Sequence, residues 1–150
     1  MENDFAQFQQ DENKLWLNKA RAKVIRLVTL YQSKFLEYFK GYQDKFFQVV
    51  WGLVAQNRIS VGKESERLVF SLLRYLGDCS SISNYQDFMR QNLQAIFTAL
   101  ILPNIALTQQ DVDEYEDEPD VYIKNDLEES DSETRRRQCM KFVQQLSKRF

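Results

Sequence analysis

DVDEYEDEPDVYIKNDLEESDSETRRR, residues Asp111 to Arg137, divides this chain into two kinds of sequence. Between 111 and 133 it holds twelve carboxylates and a single base, Lys124, a net charge of −11, and three consecutive arginines follow. The rest of the chain carries ten acids and nineteen bases, +9, so the overall −2 conceals a sharp asymmetry. A block of that sign can attract a basic partner while the flanking segments do not. It reads as a polar insertion, about residues 108–130, between units that bury apolar surface.

Those units read as helices. Eleven Phe, seven Tyr and two Trp supply core material, while four Gly and two Pro are too few for the turns of an all-β chain. Length suits one domain or a few helical repeats. From Leu15 onward Leu17, Ala20, Val24, Leu27, Val28, Tyr31 and Phe35 draw one stripe at helical spacing, with Lys19, Lys23, Arg26 and Lys34 opposite. The spacing predicts a first helix over 13–40, ended by Gly41 in a left-handed conformation. Residues 1–12 are expected to be frayed or only loosely docked.

Four more helices follow, over 43–57, 63–79, 84–102 and 132–149. Phe46, Phe47, Val50, Trp51, Leu53 and Val54 give the second a broad apolar face, and Leu68, Leu72, Tyr75, Leu76 and Cys79 form the stripe of the third. Ser83 or Asn84 is the expected cap of the fourth, and Pro103 its stop. Ser130 with Glu133 has capping-box spacing before the fifth, whose stripe is Cys139, Phe142, Val143, Leu146 and Phe150. Phe150 lies on that stripe, so the pattern is expected to continue in a longer protein.

The odd-numbered helices begin near Leu15, Lys63 and Ser132. Armadillo and HEAT arrays repeat at about 40–47 residues, which fits the first step; the second is longer by roughly the acidic block. The fold predicted is therefore all-α, a HEAT-repeat α–α solenoid segment of two helical hairpins plus the first helix of a third. A compact helical bundle is the alternative.

The available chemistry is narrow. With no histidine in the chain, imidazole bases, Ser-His and Cys-His nucleophiles and the usual zinc sites are excluded. Asp111, Asp113 and the carboxylates after them lack the glycine and closing glutamate of a calcium loop, and their mutual repulsion favours an extended, hydrated loop. No metal, cofactor or catalytic site is expected. Arg135, Arg136 and Arg137 are expected to pair with Glu128, Glu129, Asp131 or Glu133, and their acidic surroundings oppose nucleic-acid binding. Cys79 and Cys139 lack CxxC spacing and read as buried apolar residues of a reducing compartment. No apolar run approaches a membrane span, and the N-terminus lacks a signal-peptide apolar region.

ILPNIALTQQDVDEYEDEPDVYIKNDLEESDSETRRRQC, from Ile101 to Cys139, resembles the exportins that return importin-α to the cytoplasm, a branch of the importin-β (karyopherin-β) superfamily. The residues that carry the resemblance are Pro103 and Asn104; the acidic run Glu114–Glu116; Pro119, Tyr122 and Ile123; Asp126, Leu127 and Glu128; Ser130 and Asp131; and Thr134, Arg135, Arg136 and Arg137. Lys124 stands where arginine is usual and Glu129 where glycine is usual. LYQSKFLEYF and FFQVVWGLV match the helix pair upstream more loosely. Import receptors of the same superfamily are the nearest alternative; a scaffold whose acidic loop only aids solubility is the other.

The resemblance implies a section of a curved HEAT superhelix several times longer, binding Ran·GTP and importin-α together and shuttling through nuclear pores between nucleus and cytoplasm. It implies no enzymatic activity. Asp111, Asp113, Glu114, Glu116, Asp117 and Glu118 are then the candidates to face a basic partner surface.

Overall fold

In the computed structural model the backbone is described for residues 2–56, 59, 65–126 and 134–150, and side chains from residue 13 onward apart from Asp126. All regular structure among the described residues is helical. The chain forms two compact units, Met1–Tyr75 and Leu76–Phe150, described here in turn.

The first unit opens with α1, Glu2–Lys34. No Gly or Pro occurs before Gly41, so nothing in the sequence interrupts this helix, and its backbone runs regular through residues 2–12, where fraying was expected. The buried face differs from the one the apolar spacing indicates. Val28 of the expected stripe is buried, but Leu17, Val24, Leu27 and Tyr31 are 49%, 51%, 54% and 43% exposed, whereas Asn18, Ala22, Ile25, Thr29 and Gln32 are buried. Steps of four, three, four and three put these five on one side of the helix. Polar groups enter this core because they find partners. Asn18 Nδ2 donates to Ser65 Oγ at 3.0 Å, and Thr29 Oγ1 donates to the Ile25 carbonyl at 2.8 Å.

At Phe35 the backbone leaves the helical region, with φ −132° and ψ 40°. Then come α2, Leu36–Phe39, a 3-10 turn at Lys40–Tyr42, and α3, Gln43–Ala55. The turn is made at Phe35; Gly41 sits within the 3-10 turn without a left-handed φ. Phe46 links the unit's helices, with ring centroids 6.3 Å from Phe39 and 5.9 Å from Tyr75, both edge-on. The next helix, α4, spans Glu66–Ser80; in its first three turns Leu68, Val69, Leu72, Leu73 and Tyr75 are all buried. Its exposed positions there are Glu66, Arg67 and Arg74.

The last turn of α4 belongs to the second unit, with Leu76, Gly77 and Cys79 buried. Gly77 lies beneath the side-chain amide of Gln145 from the final helix, the nearest group to where a Cβ would stand. The expected fourth helix is several pieces. Ile82, extended at φ −93° and ψ 120°, precedes α5, Ser83–Gln91, so Ser83 and Asn84 lie inside the first turn and neither caps it. Asn92 interrupts at φ −108°, donating its side-chain amide to the Phe88 carbonyl at 2.7 Å. Then α6, Leu93–Ile96, leads through a π turn at Phe97–Ile101 into α7, Leu102–Ile105. Pro103 does not stop the helix. The π turn, in which Leu102 N–H donates to the Phe97 carbonyl, shifts the register just before the proline and relieves the clash its ring makes in an α-helix. Helix ends at Ala106, whose ψ is 144°.

The acidic block is also helical, through Asp126: α8 spans Gln109–Asp117 and α9 spans Pro119–Asp126. The extended loop expected from charge repulsion does not form there, for reasons of local chemistry. Thr108 and Asp111 make a reciprocal capping box, worth about 1 kcal/mol in typical helices. Gln109 and Gln110 donate to Asp113 and Glu114 one turn on, at 2.9 and 2.6 Å. Like charges at this spacing, such as Asp113 and Asp117, cost only about 0.2–0.5 kcal/mol per pair. Pro119 is pre-set for the first position of α9.

The last helix, α10, spans Arg135–Arg149 and starts from Thr134, whose side chain accepts from Arg137 N–H at 3.3 Å. The cap expected at Ser130 and Glu133 lies outside the described residues. Cys139, Phe142 and Leu146 are buried, α10 packs on α7, and Phe150 meets the Arg90 guanidinium 5.6 Å from its ring centre.

The burial pattern predicts opposite outcomes for two leucines in this chain. Leu72→Ala should cost roughly 2–5 kcal/mol in urea unfolding, the usual range for a buried leucine. Leu27→Ala should change stability by less than about 0.5 kcal/mol, although periodicity alone ranks it as core.

Candidate interaction site: an acidic helix pair and its arginine root

Three consecutive carbonyls at the end of α7 have lost their helical partners, and two arginines from α10 supply new ones. Arg135 Nε donates to the Asn104 carbonyl at 3.1 Å, and its Nη2 reaches that of Ala106 at 3.5 Å. Arg136 Nε donates to the Ile105 carbonyl at 3.1 Å. Cations at a helix C-terminus also complement its dipole. The same Arg135 Nη2 lies 3.1 Å from Asp111 Oδ2, with side chains 9% and 20% exposed. This short ion pair joins the last helix to the first turn of α8.

Asp111 Oδ2 also accepts from the Thr108 amide and hydroxyl, both at 2.6 Å. Burial pushes the Asp111 carboxyl towards a higher pKa, but the two Thr108 hydrogen bonds and the charges of Arg135 and Arg136 outweigh it and hold the value below 3.8. The second arginine reaches further: Arg136 Nη1 donates to the Tyr122 hydroxyl at 2.8 Å, and the Tyr122 ring meets Tyr115 edge-on at 5.7 Å. Both helices of the acidic block are thereby attached to the start of α10.

The sequence-derived candidates separate in this geometry. Asp111 turns inward to the ion pair, so it is a root residue rather than part of an open acidic face. Asp113, Glu114, Glu116, Asp117 and Glu118 are exposed along α8 and its C-terminal cap. Tyr122 is half-buried and Ile123 exposed; Asp126 ends α9. Leu127, Glu128, Ser130 and Asp131 lie outside the described residues, as do Glu129 and Glu133. Among the described residues Arg135 meets the end of α7 and Asp111 of α8, and Arg136 meets Ile105 and Tyr122 of α9; Thr134 and Arg137 meet at the cap of α10.

Thr108 was missed as a site residue, although Thr108-Gln-Gln-Asp111 has the spacing of a capping box. Asn104 is buried and donates to the Leu100 carbonyl at 2.7 Å, while its side-chain oxygen has no partner among the described residues. No group of three or more potential metal ligands occurs among the described residues. Burial raises the Cys139 pKa to about 11 despite the nearby Arg135 charge, so its thiol stays protonated at neutral pH. No described helix is long and apolar enough to cross a membrane.

Among the described residues the chain is all-α, with an acidic helix pair rooted by two arginines. The chain belongs to the Cse1 family, whose model matches residues 1–150. It is 31% identical over 93% of its length to exportin-2 of Dictyostelium discoideum, and 33% identical over 89% to the importin alpha re-exporter of Saccharomyces cerevisiae. Among solved structures it is similar to the exportin Cse1 in its cargo-free, cytoplasmic state, with a TM-score of 0.78 and 33% identity over 88% of this chain and 14% of that one. The chain spans about 15% of the length of the exportin-2 relatives it matches.

The depressed Asp111 pKa fixes the sign of a pH test. Its stabilising contribution is present above the ordinary carboxyl range and is lost as pH falls through the folded-state value, below 3.8. Asp111→Asn should therefore cost about 1.5–3 kcal/mol at neutral pH, the range for hydrogen bonds to charged groups. The gap from wild type should narrow only in strong acid, as followed by urea denaturation across pH.

Proposed function

We propose that this chain is a section of a nuclear export receptor that binds importin-α together with Ran·GTP and returns importin-α to the cytoplasm. The observation that carries the reading is the match, over about nine-tenths of this chain, to relatives named exportin-2 and importin alpha re-exporter, at about a third identity. The exposed carboxylates of α8 fit it, because they offer a negative surface on a rigid support to a partner rich in Lys and Arg. The receptor works by binding alone: each ligand favours the superhelix conformation that suits the other, so each raises the other's affinity. Shuttling between nucleus and cytoplasm follows from that cycle.

The test uses the full-length receptor. Replacing Glu114, Glu116, Asp117 and Glu118 by Ala together should weaken the ternary complex with importin-α and Ran·GTP. The loss should be larger at low ionic strength, where screening is weakest. Equal affinity for variant and wild type at both ionic strengths contradicts a partner-facing role for the acidic helix.

A further inference from the structure

We propose that Arg136 is a positioning residue for the acidic surface: through the Tyr122 hydroxyl it holds α9, and with it the neighbouring carboxylates of α8, in place for a basic protein partner. The inference rests on the reading in Proposed function and adds a residue to it. Arg135 roots α8 through Asp111, but α9 needs its own attachment. An eight-residue helix is too short to persist alone. Its apolar side chains do not anchor it either, since Val121 and Ile123 are 49% and 37% exposed. Tyr122, between them, is instead half-buried, with its hydroxyl 2.8 Å from Arg136 Nη1 and its ring against Tyr115 of α8. Arg136 is itself fixed by its Nε bond to the Ile105 carbonyl. A polar connection therefore runs from the scaffold through Arg136 and Tyr122 to Tyr115, tying the two acidic helices together.

Long-range attraction depends on how many carboxylates are present, whereas the lifetime of a complex depends on how well they are held. Carboxylates on a loose helix still steer a basic partner, but binding must then also order the helix. Loss of the Arg136–Tyr122 bond should thus act on dissociation and leave association nearly unchanged.

Binding kinetics of the full-length receptor with importin-α and Ran·GTP test this. Arg136→Ala and Tyr122→Phe should each raise the dissociation rate by roughly 3- to 10-fold, the scale of one hydrogen bond's net worth. Tyr122→Phe should keep the wild-type association rate and its salt dependence, and Arg136→Ala, which removes a cation beside the carboxylates, should associate no more slowly than wild type. The double variant should dissociate no faster than either single one. Tyr122→Phe preserves charge and ring packing, so it separates the hydroxyl from general damage to the fold. Unchanged dissociation rates in both single variants, or strictly additive effects in the double, overturn the positioning role if Glu116→Ala/Asp117→Ala/Glu118→Ala still slows association. If that triple variant binds as wild type, the acidic-face reading falls, and this inference with it.

Discussion

The guanidinium of Arg135 is the contact on which the second unit's functional geometry depends. It is buried, and a buried cation is tolerable only when fully engaged. Its Nε and Nη2 donate to the Asn104 and Ala106 carbonyls at the end of α7 and to the carboxylate of Asp111. The ion pair is partly desolvated, so salt screens it less than a surface pair. Its geometry also makes the insertion part of the scaffold: the residue that completes the α7 terminus is the one that holds the start of α8.

This changes how a run of carboxylates behaves. Left to mutual repulsion, the block would be an expanded tether whose ordering opposes binding. Here a capped helix, two glutamine-to-acid contacts and a proline at the start of α9 make local order competitive. The arginines then fix its direction. The inward carboxylate and the outward ones divide the work, Asp111 supporting the surface that Asp113, Glu114, Glu116, Asp117 and Glu118 present.

Helix content and the membership in the family were legible in the residues; most of the breaks between helices were not. The burial of α1 was not. Its apolar residues cover both sides, so periodicity finds a stripe without showing that Asn18, Thr29 and Gln32 line the packed face. That choice rests on hydrogen bonds, Asn18 to Ser65 and Thr29 to its own helix, which spacing cannot report. Pro103 misled for a related reason, because a π turn upstream removes the clash that normally makes proline a stop. The arginine root was hidden by distance along the chain. Neighbouring acids looked like the natural partners of Arg135, whereas Asp111 lies 24 residues away.

The central claim is that the acidic insertion is held as structured helix through Asp126 before any partner arrives. Hydrogen exchange at Val112 and Glu118, whose amides donate to Thr108 and Glu114 at 3.2 and 3.0 Å, tests it in the partner-free receptor. The account predicts exchange much slower than an unstructured peptide at both amides, with protection lost at Val112 when Arg135 is replaced by Ala. Exchange at the unstructured rate in the wild-type receptor, becoming slow only on adding importin-α and Ran·GTP, would contradict it.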